Sequence, residues 1–294
     1  MHPREFQSTY PCVDDDIELL LYFAGELASH RPGLTAAIDA AWPLVAPGIR
    51  SFQTTNMKGI RRTKDGKAVL LRMLEERPSE IYNSVSVDNR RHLDEAPDCC
   101  LEVSDAEYRS GGFLLCRFPI RDDDRYQSML DVILRIAAQW DCAHGYAGYT
   151  LALNVIGLKA SLPERMFYPI GMRHPGIDIP LAGFTSFVIG AGIKRVNWLT
   201  LLGSDMARRA GSLNSLGRQA GVVVHKPGES VVIQAGDTPL IGDVNRQDTC
   251  EVYRRVGRAL KGIRSADHPG FIFNQGEFIA SKEKTEEWLS SLDE

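Results

Sequence analysis

Hydrophobic and polar positions alternate between two periods along this chain, and the switches between them mark its elements. "IELLLYFA" (17–24) is a short apolar run broken only by Glu18, which predicts a strand buried on both faces. "TAAIDAAWPLV" (35–45) changes to helical spacing at Ile38, Ala41, Trp42 and Val45, with Pro43 expected to end the helix early. A short helix is expected over 68–76 and a strand of period two over 81–88. Strands are expected over 99–105 and 112–120, separated by the turn signal "YRSGG". "DDDRYQSMLDVILRIAAQW" (122–140) is the clearest helix of the first half. Asp122, Asp123 and Asp124 stand at its start, and Met129, Leu130, Ile133, Ile136 and Ala137 form the apolar stripe. "GYAGYTLALN" (145–154) predicts a strand with an aromatic, glycine-rich entry.

Residues 157–192 are irregular and rich in Pro and Gly, yet they carry Met166, Phe167, Tyr168, Phe184 and Phe187. Disordered linkers seldom hold so many large apolar groups, so this stretch is expected to be a long connection between two halves. Strands follow over 196–203, 220–226 and 230–236, the last two joined by "PGE", and helices over about 246–263 and 281–291. Strands in runs with helices between them predict an α+β fold with mostly antiparallel sheets and packed helices. The expected division is a domain over 14–265, with two similar halves at 14–156 and 157–265 each contributing a sheet. An extension over 266–294 ends in a helix.

Composition narrows the function classes. The chain has 294 residues, 44% of them hydrophobic, and a formal net charge of −4, without the basic excess of a nucleic-acid binder. The N-terminus lacks the layout of an export signal, and no apolar stretch is long enough to span a bilayer, so a cytoplasmic protein is expected. Six cysteines (Cys12, Cys99, Cys100, Cys116, Cys142, Cys250) give no disulfide framework and are expected to be free, buried thiols.

Catalytic and cofactor signatures fail one by one. Read as a calcium loop from Asp243, the third position is Asn245, which fits. The sixth is Asp248 where Gly is needed, and the twelfth is Arg254 where a bidentate Glu is needed. Gly236 and Gly242 are too far apart for a phosphate loop. "FVIGAGIKRVNW" (187–198) supplies Gly190 and Gly192 but has Arg195 in place of the third Gly of a dinucleotide turn. The seven histidines are scattered, with no zinc spacing and no nucleophile elbow; Ser204, Asp205 and His144 form a triad only by force. No cofactor and no metal are expected. The simplest reading of 231–260 is structural: Asp243 or Asn245 caps a helix whose apolar face is Val252, Val256, Leu260 and Ile263. A hydrolase or transferase with a dispersed active site is the alternative; it requires a deep pocket with converging polar groups. The acidic runs Asp14–Asp16, Asp94, Glu95, Asp98 and Asp122–Asp124 suit a solvated surface or a patch for a basic partner.

Several segments resemble the type VI secretion immunity family TsiV: "HGYAGYTLAL" (144–153), "GIDI" (176–179), "NWLTLLG" (197–203), "VVIQAGDTPLIGDVN" (231–245) and "YRRVGRALKGIR" (253–264). The resemblance runs from about residue 14 to 265, is most specific in the C-terminal block, and covers the first 130 residues in layout only. It implies a cytoplasmic immunity protein, not an enzyme, that binds a type VI effector delivered by sister cells. The effectors implied are DNA-cleaving nucleases of the VRR-Nuc type, with a restriction-endonuclease-like core, neutralised by covering the DNA groove. The resemblance carries Gly145, Tyr146, Gly148, Tyr149, Trp198, Gln234, Gly236, Gly242, Asp243 and Asn245 as scaffold residues. The expected toxin contacts are Asp14, Asp15, Asp16, Asp94, Glu95, Asp98, Asp122, Asp123 and Asp124, because a groove that holds phosphates is basic.

Overall fold

The computed structural model describes residues 14–55, 57–76, 84–92, 97–105, 111–119, 125–152, 168–179, 185–186, 188–270, 272–273 and 280–293. Its frame is one antiparallel sheet of ten strands in the order β3-β2-β4-β5-β6-β1-β7-β8-β10-β9. The strands are β1 (Asp14–Ala24), β2 (Ser51–Thr54), β3 (Arg61–Arg62), β4 (Ser84–Asp88), β5 (Cys100–Ser104), β6 (Gly111–Pro119), β7 (His144–Ala152), β8 (Leu199–Leu202), β9 (Val222–His225) and β10 (Val231–Ala235). A separate ribbon pairs β11 (Ile272–Phe273) with β12 (Ala280–Ser281). The α+β, antiparallel reading holds, but the two halves do not carry a sheet each. β1 pairs with β6 on one side and, over nine residues, with β7 on the other, so a single sheet runs through both.

β1 shows why its sequence is apolar almost throughout. Ile17, Leu19, Leu21 and Phe23 enter the main core, while Leu20 and Tyr22 point the other way into a smaller core with Cys100, Phe113, Leu115, Tyr146 and Ile189. A strand alternates its side chains between faces, so a strand covered on both sides must be apolar at both parities. The main core is closed by α1 (Leu27–Val45), α2 (Gly66–Glu75) and α3 (Arg125–Gln139). Further on come α4 (Ser204–Ala210), α5 (Glu251–Leu260) and α6 (Lys282–Ser290). Trp288, Leu289 and Leu292, at the end of the chain, are buried in the main core.

Two helix boundaries differ from the sequence expectation, each for a physical reason. α1 starts eight residues before Thr35 and runs on past Pro43, with Pro32 also inside it. The "RPG" stretch suggests a break, but a Cβ on Gly33 would stand 2.1 Å from Trp140 Cδ1, so Gly33 is the notch into which the indole packs. Trp140 Nε1 also donates to His30 Nδ1 at 3.2 Å. Packing here outweighs local propensity. The helix expected from 246 begins instead at Glu251, after Cys250 in left-handed backbone (φ 52°). Asp243 caps the 3-10 turn Val244–Arg246, accepting from the Asn245 N–H at 3.1 Å, and Asn245 itself is exposed. The acidic start expected for α3, Asp122–Asp124, lies outside the described residues.

Candidate functional site

The densest ionisable chemistry lies on the sheet face opposite α1, α2 and α3. Glu18, the one charged residue in its apolar run, is fully buried and accepts from Arg117 of β6 at 2.7 Å (Nη2) and 3.2 Å (Nε). Burial raises the Glu18 pKa, and the Arg117 guanidinium pulls it partly back. On the β7 side stands a second pair. Asp178 forms an isolated parallel bridge with Thr150, and its Oδ2 accepts from Lys194 Nζ at 2.7 Å and from Tyr146 OH at 2.5 Å. Lys194 also donates to the Ile179 carbonyl at 2.8 Å and to Tyr146 OH at 3.3 Å. Burial pulls the lysine pKa down, while Asp178 holds it up. Acceptor contacts to three groups satisfy an ammonium that is 1% exposed. α6 closes the site from above: the Trp288 ring lies 5.4 Å from Lys194 Nζ and 4.6 Å from Arg195 Cζ, within cation–π range.

His144 completes the row. It is 2% exposed, its ring stacks on Tyr22 at 4.8 Å, and neither ring nitrogen has a hydrogen-bond partner among the described residues. Burial, with His268 and Lys194 adding to it, drives its pKa down to about 3; burial also takes His268 to about 4. Both are neutral when folded and protonate near 6.5 when unfolded, so the unfolded chain binds the extra protons in between. Their stabilisation is therefore complete above about pH 6.5 and is lost as pH falls, by up to about 1.4 kcal/mol per pH unit for each histidine. Urea melts at successive pH values should show this slope, and His144→Phe should remove one histidine's share of it between pH 4 and 6, about 1.4 kcal/mol per pH unit. An unchanged slope would mean that His144 is not held neutral.

This cluster has the shifted histidine and carboxylate that a dispersed active site requires, but every member faces inward. Glu18, Arg117, Tyr146, Asp178, Lys194 and His144 are all buried and, His144 apart, bonded to one another. Ser204 and Asp205 do not join His144. Ser204 Oγ donates to Asp141 Oδ2 at 2.5 Å, and Asp205 pairs with Arg208 at 3.2 Å. Among the described residues no group of three or more His, Cys, Asp and Glu side chains is arranged to hold a metal ion. No helix among them is long and apolar enough to cross a membrane.

The glycine and aromatic positions of the sequence motifs lie around β7 and across the sheet, with Tyr149 and Trp198 in the main core. A Cβ on Gly148 would stand 2.0 Å from Asn197 Oδ1, and one on Gly145 would stand 2.7 Å from the Leu20 carbonyl oxygen, so both glycines let neighbours close onto β7. Tyr149 OH meets Tyr126 OH at 2.6 Å. Trp198 Nε1 and Gln234 Nε2 both donate to the Gly236 carbonyl, at 3.0 and 3.2 Å, and Gly236 needs its positive φ of 90°. Gly242 also has positive φ, 71°. Beside it, Asp243 takes two hydrogen bonds from Arg173, at 2.9 and 3.1 Å, and these with the Asn245 N–H hold its carboxyl below the usual range.

The acidic runs stand elsewhere. Asp14 and Asp15 are in β1, opposite Ala152 and Leu151 of β7, and their side chains lie outside the description. Asp16 is 2% exposed on the polar face, and Asp98 is half-buried and accepts from Asn89 Nδ2. Asp94, Glu95, Asp122, Asp123 and Asp124 are not described. Register nevertheless relates their neighbours. Asp16 faces Pro119, Cys100 faces Arg117, and Asp88 faces Cys100, so β1 begins, β6 ends and the β4–β5 connection turns at one end of the sheet.

One sheet, helices against one face and ionisable groups paired inside the other, define an α+β protein whose buried charge serves its own architecture. The family described as type VI immunity for VRR-NUC matches residues 116–292, more than half of the chain. The chain belongs to this family, TsiV. A solved structure with the same fold is the Pseudomonas aeruginosa T6SS protein PA0821, with a TM-score of 0.80 and 21% identity over 95% of this chain and 82% of that one. No match was found among curated proteins.

Proposed function

We propose that this protein binds a VRR-Nuc-type nuclease effector in the cytoplasm and blocks it by covering its DNA groove. The family match carries the proposal. Immunity proteins act by binding, and a nuclease groove offers a basic wall for the phosphate backbone. The convergence at one sheet end of the strand ends flanking Asp14, Asp15, Asp98 and Asp122–Asp124 supports an acidic docking surface there; Asp16, which is buried, lies beneath it. Charge of opposite sign across such an interface raises the association rate and rejects wrong partners. Calorimetry of the purified pair is expected to give nanomolar affinity, about −12 kcal/mol or better. The complex should protect duplex DNA from cleavage at one-to-one stoichiometry. Micromolar binding, or cleavage that continues in the saturated complex, would count against occlusion. Reversing Asp122, Asp123 and Asp124 to Lys is expected to slow association about tenfold at low salt, with a smaller effect on dissociation. An unchanged rate would leave those carboxylates merely solvated.

A further inference from the structure

At the opposite edge of the sheet from β9, strands β2 and β3 form a ribbon that concentrates positive charge. Arg50, Lys58, Arg61, Arg62 and Lys64 are all exposed, and among the described residues none of them makes an ion pair. No carboxylate occurs between residues 50 and 64, and Asp65, next in sequence, turns its Oδ1 to the Ala68 N–H to cap α2. The ribbon is held in place. Ser51 faces Arg62, Phe52 faces Arg61, Thr63 N donates to the Arg50 carbonyl at 3.0 Å, and Arg50 N donates to the Asp88 carbonyl at 2.9 Å. Arg50, Arg61 and Arg62 therefore project from a hydrogen-bonded backbone, so their docking forfeits little chain entropy.

Five exposed cations that no described carboxylate pairs, on a protein of net charge −4, call for an acidic counterpart. A nucleic-acid duplex fits poorly. β3 and β1 are five strand spacings apart in the sheet, roughly 24 Å, so a duplex laid on the ribbon along this end would run into the acidic start of β1. A nuclease presents the matching pair of features: a basic groove and, within it, carboxylates that hold the divalent metal. We infer that the β2–β3 ribbon docks on the metal-binding carboxylates of the effector nuclease, with Arg61, Arg62 and Lys64 taking over the charge the metal would supply. This rests on the nuclease-binding reading above and assigns the surface that meets the catalytic centre.

The test is binding of the full-length protein to its VRR-Nuc-type nuclease, titrated against Mg2+, for wild type, Arg61→Glu/Arg62→Glu and Arg61→Gln/Arg62→Gln. Both substituted side chains are exposed, and circular dichroism should confirm unchanged folding. The Glu pair is expected to weaken binding about a hundredfold at low salt and the Gln pair about tenfold. Millimolar Mg2+ should weaken the wild type and leave the Glu variant unaffected, because only the wild type competes with the metal. Equal affinity of wild type and Glu variant would overturn the assignment while leaving nuclease binding intact. Affinity of the wild type that ignores Mg2+ would move the ribbon off the metal site and equally overturn it. Salt-sensitive binding of a labelled DNA duplex, lost in the Glu variant, would make the ribbon a nucleic-acid site and overturn it too. If the wild type does not bind the nuclease at all, the function proposed above falls first, and this assignment with it.

Discussion

Lys194→Met should destabilise the protein by about 3–5 kcal/mol in urea unfolding, the usual cost of removing one member of a buried ion pair. The cost comes from what is left behind. Asp178, with its side chain 4% exposed, would keep the Tyr146 hydroxyl but lose its ammonium, and the Ile179 carbonyl would lose a donor. Adding Asp178→Asn should recover a good part of the loss, because the stranded charge is then gone. The difference between the single and double variants measures the coupling. A Lys194→Met protein within 1 kcal/mol of wild type would show that the pair is not desolvated as described.

Trp288→Ala should be comparably severe, about 3–5 kcal/mol, from lost burial and the cavity that remains. The indole is fully buried between two cations and Gly171, where a Cβ would stand 2.7 Å from Nε1. Gly171→Ala tests the same contact from the other side and should cost about 1–3 kcal/mol by overpacking. Thermal melts of the two variants together would separate this seat from a general intolerance of the C-terminal helix. If Trp288→Ala melts with the wild type, α6 is peripheral to stability.

The sequence carried the fold class well because its strongest periodic segments are the ones packing keeps. α3 has an apolar stripe wide enough for one core face, and β1 is apolar at both parities because both of its faces are covered. The two-residue β3 and four-residue β2 are too short to establish a period, and they went unseen. The buried row was half visible. Glu18 inside an apolar run signals that a partner must exist, but Arg117 lies 99 positions away and Lys194 and Asp178 are far from both. Nothing local links them; strand pairing does. The scaffold residues of the C-terminal block were recognisable as motif, whereas their physical reasons needed coordinates. Gly148 makes room for Asn197, and Asp243 serves Arg173 and a 3-10 turn instead of the long helix.

β1 leaves the ribosome first, yet one of its two flanking neighbours, β7, begins at His144, and the indole that closes the polar row arrives at position 288. The chain must therefore be made through Ala152 before the central strand is flanked on both sides, and through Trp288 before the interior charges are sealed. A nascent or truncated chain holds unmatched backbone and stranded ions, the state that chaperones retain and proteases remove. Protection against an incoming toxin should accordingly lag behind translation and depend on intact, full-length copies. A stop codon before Trp288 is expected to leave the polar row unsealed and the protein unstable.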